Sequence, residues 1–248
     1  MTAMRCDSRG DSEPTDGTIP AQNVTLDELR ARLLPCEEDA TIYSYVVRSV
    51  YLDRVDGTFK QRGSGPNFAG GCITLCTCMH QMRTYMAPAQ WTKFWVAGFT
   101  SCQRSRGFGH RNWLVYLMQV GEAYPSHRDL YWAWREDGRS LLLKAKAAHL
   151  SRVGDIFFPK ARNVRPHAVS AYRAPQVKHA HRPTEHDDTW HEDINYSRHG
   201  RHAALLVGSP KHSYMWNRQL VFRASRRPLS RGNPKFLLSS FLIDLESA

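Results

Sequence analysis

Long apolar runs are missing from this chain. The longest candidate stretch, 113–120, spans only eight positions including Gln119, far short of the roughly 18 that a membrane-crossing helix needs, so no membrane partner is expected. The opening residues, MTAMRCD, lack the apolar centre of a secretory signal, and a cytoplasmic location follows as an expectation. Cysteine is sparse, with six residues at 6, 36, 72, 76, 78 and 102. Inside a cell that set reads as free thiols and not as a disulfide framework. Cys72, Cys76, Cys78 and His80 lie close in sequence, but the Cys76-x-Cys78 spacing is tighter than that of structural zinc sites and no second knuckle follows. Neither a metal nor a cofactor is expected. There is no internal repeat.

Acidic residues are the other scarcity, and it begins abruptly. Residues 1–40 hold four Arg and nine Asp or Glu, a net charge of −5, whereas the remainder carries 30 basic against 14 acidic residues, a net of +16. Such an excess fits a phosphate-rich partner, because each Lys or Arg placed on a phosphate releases condensed counterions and adds affinity. With 42% apolar residues, seven Trp, ten Tyr and ten Phe, a packed core is within reach. Residues 1–22 are acidic, polar and interrupted by Gly and Pro, the composition of a disordered tail. Residues 23–248 then form one domain, with a long irregular His-rich insertion at about 159–202. Six of the twelve His fall between 179 and 202.

Local patterns place the elements. Thr25 and Glu28 form a capping box ahead of Leu29, Leu33 and Leu34, which predicts a short helix ending before Pro35. Residues 42–50 (IYSYVVRSV) are β-branched and aromatic, and Asp56-Gly57 marks a turn. A short helix is expected within 72–86. The runs 94–99 and 113–120 read as adjacent antiparallel strands, the second covered on both faces. Helices are expected at 127–135 and 141–150, with strands at 156–158, 203–207 and 219–222, and Ser209-Pro210 as a break.

Four constellations carry possible chemistry. The Gly-rich segment 62–71 frees backbone amides for close approach, and with Asn67, Gly70, Gly71, Thr74, Trp95 and Trp113 it makes a candidate base pocket. An Asn amide can both donate to and accept from a base edge, and an indole can stack on its face. Arg83, Arg104, Arg106 and Arg111 are the candidate phosphate ligands, interleaved with Trp95, Phe99, Phe108 and Trp113. Trp132, Trp134 and Arg135 repeat the aromatic and basic mixture. His191 and Asp193 have the His-x-carboxylate spacing of facial-triad iron sites, and together with Cys78 they are weak catalytic candidates. A basic loop on phosphate is the plainer reading of the same His-rich stretch.

Tyr43-Ser44-Tyr45-Val46-Val47-Arg48, Pro66-Asn67-Phe68, Gly70-Gly71, Thr74-Leu75, Cys78, Arg83, Trp95-Val96-Ala97-Gly98 and Val120-Gly121-Glu122 follow one another in order. In this series the chain resembles the nucleotide-modification-associated domain family of the second type, found in prokaryotes and phages. The resemblance covers about residues 41–135. Lys93-Phe94 stands where that family, like the base-reading PUA-like and EVE domains, has Gly-Asp. The predicted fold is α+β, with a mixed, mostly antiparallel sheet or a small open PUA-like barrel flanked by short helices. The resemblance implies a DNA-modification or phage-defence setting, with nucleic acid or a nucleotide as partner and DNA ahead of RNA. Three functions compete: recognition of a modified or extruded base, a nucleotide- or DNA-modifying enzyme, and an interaction protein with nonspecific nucleic-acid attachment.

Overall fold

The computed structural model describes residues 18–34, 36, 39–102, 107–175, 189–223 and 233–247. Helix α1 (Leu26–Leu33) starts at the predicted capping box, in which the Thr25 Oγ1 accepts from the Glu28 N–H and the Glu28 carboxylate accepts from the Thr25 N–H. It is followed by β1 (Thr41–Val46) and the hairpin β2 (Val50–Leu52) and β3 (Phe59–Gln61), turned at the predicted Asp56-Gly57. Next come a 3-10 turn at Ala69–Gly71, β4 (Thr74–Leu75), α2 (His80–Arg83), α3 (Pro88–Trp91), β5 (Trp95–Phe99) and β6 (Leu114–Tyr124). The second half contains α4 (His127–Glu136), α5 (Ser140–Lys146), α6 (Trp190–Asn195), the hairpin β7 (Ser197–Arg198) and β8 (Arg201–His202), β9 (Leu205–Met215), β10 (Leu220–Phe222), β11 (Lys235–Leu237), α7 (Leu238–Ile243) and β12 (Leu245–Ser247).

Six strands form one sheet in the order β11-β1-β5-β6-β9-β4, in which only β1 and β5 run parallel. The expected α+β class with a mixed, mostly antiparallel sheet is therefore found. The described strands close no barrel. Alternation along each strand divides the core. Tyr43, Tyr45 and Val96 face one cluster, under the β2–β3 hairpin and α2. Ile42, Trp95, Ala97 and Phe99 face the other, under α1 and α7. Strand β6 supplies both clusters, Met118 and Val120 to the first and Leu114 and Leu117 to the second, as a strand without a polar face must.

Several boundaries differ from the sequence expectation. Residues 18–22, assigned to the tail, are packed: Thr18 bridges Lys60, Ile19 is buried, and the Gln22 N–H donates to the Met215 carbonyl. Burying an isoleucine is worth about 1.5–3 kcal/mol, which offsets the roughly 1–2 kcal/mol of backbone entropy for a residue or two. Residues 156–158 form only an isolated bridge, from Ile156 to Ala147. Ser209-Pro210 does not end a strand, because β9 runs through it where the β6–β9 register shifts and the chain is solvent-exposed. The insertion is not wholly irregular: α6 and the β7–β8 hairpin lie in it, while residues 176–188 fall outside the described residues.

Gly98 shows how tightly the first cluster is built. A Cβ there would stand 2.2 Å from the Tyr116 ring and 2.7 Å from Val47, and that ring is pinned by the bond from the Tyr116 hydroxyl to the Tyr45 hydroxyl at 2.9 Å. Gly98→Ala should lower stability by about 3 kcal/mol and the melting temperature by roughly 5–10 °C; a calorimetric melt showing no loss would contradict this packing.

Candidate functional site

Helix α2 is a single turn in which Met82 and Arg83 are buried. Gln81, together with Thr84 and Tyr85 just beyond the helix, lines a cleft of about 470 Å³, Thr84 being largely buried there. The opposite wall is the β7–β8 hairpin, which contributes Arg198, His199 and Arg201. Its two-residue turn, His199-Gly200, has positive φ at both positions (51° and 74°), the backbone of a type I′ hairpin turn that suits the twist of antiparallel strands. The turn sets Arg198 directly opposite Arg201. Among the described residues no carboxylate lines the cleft. Arg201 Nη1 donates to the Tyr85 carbonyl at 3.0 Å, tying one wall to the other. Behind the hairpin, His202 and His167 stack at 3.4 Å with rings nearly parallel. Each Nδ1 must carry its proton, because the Tyr196 and Ile194 carbonyls beside them can only accept. Burial, and then the neighbouring His202, lowers the pKa of His167.

Below the cleft lies a buried polar group. His80 Nε2 meets Asp193 Oδ1 at 2.6 Å, with the Asp193 side chain wholly inaccessible, and the His80 ring stacks on Tyr196 at 5.0 Å. Arg83 donates from Nε to the Cys78 carbonyl at 2.8 Å and from Nη1 to the Ala204 carbonyl at 2.6 Å. Burial works against its positive charge, while Asp193 and Asp155 support it. Deeper still, the Lys146 ammonium donates to the carbonyls of Asn67 and Cys72 at 2.8 and 2.7 Å and to Asn67 Oδ1 at 3.3 Å. The Asp155 carboxylate accepts from Thr74 Oγ1 at 3.0 Å and from the Cys76 N–H at 3.2 Å. Burial raises its pKa, and Lys146 pulls it back.

These positions correct most of the sequence-based site. Asn67 is 1% exposed, and its side-chain oxygen accepts from the Ala69 N–H and from Lys146. Thr74 is spent on Asp155. Gly70 packs on Leu142 of α5, and Gly71 is exposed. Trp95 and Trp113 belong to different core clusters, the second donating its indole N–H to the Phe108 carbonyl. The six residues of the expected base pocket therefore do not converge on an open cavity; Asn67, Thr74, Trp95 and Trp113 belong to the core, where an amide and a hydroxyl beside buried charges are needed as partners. Arg83 is not a surface phosphate ligand but a fully buried strut. Arg111 is exposed, and Arg104 and Arg106 lie outside the described residues. Trp132, half-buried, has the guanidinium groups of Arg135 and Arg162 5.4 and 5.3 Å from its ring centroid, whereas Trp134 is core.

The catalytic candidates also separate. Cys78 is half-buried with the Tyr45 hydroxyl 3.9 Å from its sulfur, and burial pushes its thiol up to about 12, so it stays protonated and is a poor nucleophile. His191 is exposed on α6, and the partner of Asp193 is His80, not His191. Among the described residues no three His, Cys, Asp or Glu side chains gather as a metal site. From sequence, residues 197–202 belong to a His-rich loop; the local mark of the hairpin is Arg198-His199-Gly200-Arg201, a turn dipeptide between matching cations. Comparisons with protein-family models, curated proteins and solved structures find no match to this chain.

His127, on α4 beside Asp193, supplies a test of the buried group. Burial pushes its pKa down to about 3, against the pull of Asp193. The unfolded chain takes up a proton near pH 6.5 that the folded chain refuses until about pH 3, so stability should fall with acidification across that window by about 1.4 kcal/mol per pH unit. In H127Q that component of the slope should vanish; urea titrations at several pH values giving the same slope in both proteins would refute the assignment.

Proposed function

We propose that the protein binds nucleic acid or a nucleotide through its phosphate groups, with Arg198 and Arg201 as the anchors. The observation that carries this reading is the cross-strand placement of Arg198 and Arg201 on a cleft that no carboxylate among the described residues lines. Like charges directly opposite each other on paired strands destabilise the pair, and an anion between them turns that repulsion into two charge-assisted, bidentate contacts. Gln81 and Thr84 add neutral hydrogen-bonding groups, and Tyr85, 40% exposed, offers a ring against which a base can rest. The charge of +16 beyond residue 40 supplies long-range attraction. The DNA-modification or phage-defence setting, with DNA preferred to RNA, rests on the sequence resemblance. With Trp95 and Trp113 in the core, recognition of a base falls to Tyr85 and its neighbours.

The test is anisotropy of a labelled single-stranded oligonucleotide. Affinity should fall by about 300-fold between 50 and 200 mM salt if six phosphates are contacted. R198A/R201A should weaken binding and flatten the log–log salt slope by about 1.4. Binding that ignores salt, or that the double variant leaves intact, would remove the cleft from the reading.

A further inference from the structure

We infer that the cleft holds the end of a nucleic-acid strand by its terminal phosphate, a phosphomonoester and not an internal phosphodiester; the inference deepens the phosphate-binding reading above and rests on it. Three observations carry it. The first is where the cleft keeps donors to spare. Arg198 gives its Nε–H to His199 Nε2 at 3.3 Å, and Arg201 gives an Nη1–H to the Tyr85 carbonyl at 3.0 Å. Each guanidinium keeps its other N–H groups, and neither has a carboxylate partner among the described residues. The neutral hydroxyls are already engaged: Thr84 Oγ1 donates to the Gln81 carbonyl at 2.7 Å, and the Tyr85 hydroxyl accepts from Asn233 Nδ2 at 3.2 Å. What the walls offer a ligand is therefore cationic N–H, with the Gln81 amide beside it.

The second observation is the charge. An internal phosphate carries one negative charge, whereas a phosphomonoester carries about −1.5 to −2 at neutral pH and presents three strong acceptor oxygens. Arg198 stands directly opposite Arg201, and a phosphomonoester nearly matches the sum of their charges while its three oxygens can meet both forks. A phosphodiester leaves part of their cross-strand repulsion in place. The third is extent. The cleft of about 470 Å³ is bounded by two short segments, 81–85 and 198–201, the scale of a small-ligand site and not of a groove that tracks several nucleotides. The bond from Arg201 to the Tyr85 carbonyl joins its walls; a strand laid between them breaks that bond, and a strand end need not. Tyr85, exposed beside the arginines, is placed to meet the terminal base. The net +16 beyond residue 40 attracts the phosphates that follow, which favours a polynucleotide end over a free nucleotide.

The experiment measures anisotropy of three internally labelled single-stranded oligonucleotides of one sequence with the full chain, at about 150 mM salt. They carry a 5′-phosphate, a 3′-phosphate, or hydroxyls at both ends. A phosphorylated strand should bind at least about tenfold tighter than the hydroxyl-ended one, the gain expected of added charge-assisted bonds, and the 5′ and 3′ strands tell which end is held. R198A/R201A should bring that ratio to about one. R152A/R165A, which removes two exposed charges outside the cleft, should leave it unchanged. Deoxycytidine monophosphate should displace the phosphorylated strand only in large excess. Circular dichroism verifies that the variants are folded; should the double cleft variant unfold, R198A and R201A singly carry the comparison. Hydroxyl-ended strand that binds as tightly as both phosphorylated ones overturns the inference and leaves the phosphate-binding reading standing. A ratio that survives R198A/R201A, or that falls equally in R152A/R165A, overturns it too, and displacement by equimolar monophosphate overturns the assignment to a strand end. Absence of binding by all three strands defeats the reading on which the inference rests.

Discussion

Two cations and two carboxylates, Arg83, Lys146, Asp155 and Asp193, are buried together in a protein whose surface is otherwise strongly basic, and their mutual neutralisation is the constraint on which the cleft depends. Lys146 and Asp155 act on one stretch of chain from opposite chemical directions: the ammonium holds the carbonyls of Asn67 and Cys72, and the carboxylate holds Thr74 and the Cys76 N–H. That stretch has little regular structure of its own, only a 3-10 turn and the two-residue β4. Its position comes from these bonds and from the pairing of β4 with β9. Helix α2 follows directly, and Arg83 fastens its end to the Ala204 carbonyl at the entry to β9.

The energetics of such a group are asymmetric. Buried ion pairs add little net stability over apolar residues of the same shape, whereas removal of one partner commonly costs about 3–5 kcal/mol because the other is left uncompensated. The arrangement therefore secures one placement of the 67–83 segment more than it strengthens the fold. Placement is what a cleft with walls from distant segments requires. Asp193 serves twice in this scheme, as a counter-charge for Arg83 and as the partner of His80.

What could be read from the residues alone follows the range of the interactions involved. The Thr25–Glu28 cap, the Asp56-Gly57 turn and the apolar strands β5 and β6 depend on neighbours in sequence, and they appear where expected. The parallel pairing of β1 with β5 and the addition of β11 at the edge depend on partners far along the chain, and nothing local marks them. The site suffered more. Asn67, Thr74 and Arg83 are polar residues in a Gly- and Cys-containing stretch, and their types are the same whether they meet a ligand or a buried charge; only the locations of Lys146 and Asp155 distinguish the two. In 179–202 the histidines outnumber the arginines, and only the pairing of β7 with β8 distinguishes the two arginines that flank His199-Gly200.

The separation of His80 from Asp193 along the chain has a consequence in time. During synthesis the sheet's centre, β1, β5 and β6, can assemble from the first half of the sequence, but β4 has no neighbour until β9 is made, and α2 has no opposing wall until α6 and the hairpin emerge just ahead of it. Contacts of such long sequence separation form late. Residues 1–196 hold 25 of the 34 Lys and Arg but a net charge of only +4, so a nascent or truncated chain lacks both the paired arginines and most of the net positive charge, and the cleft comes into being only as the last third of the protein docks.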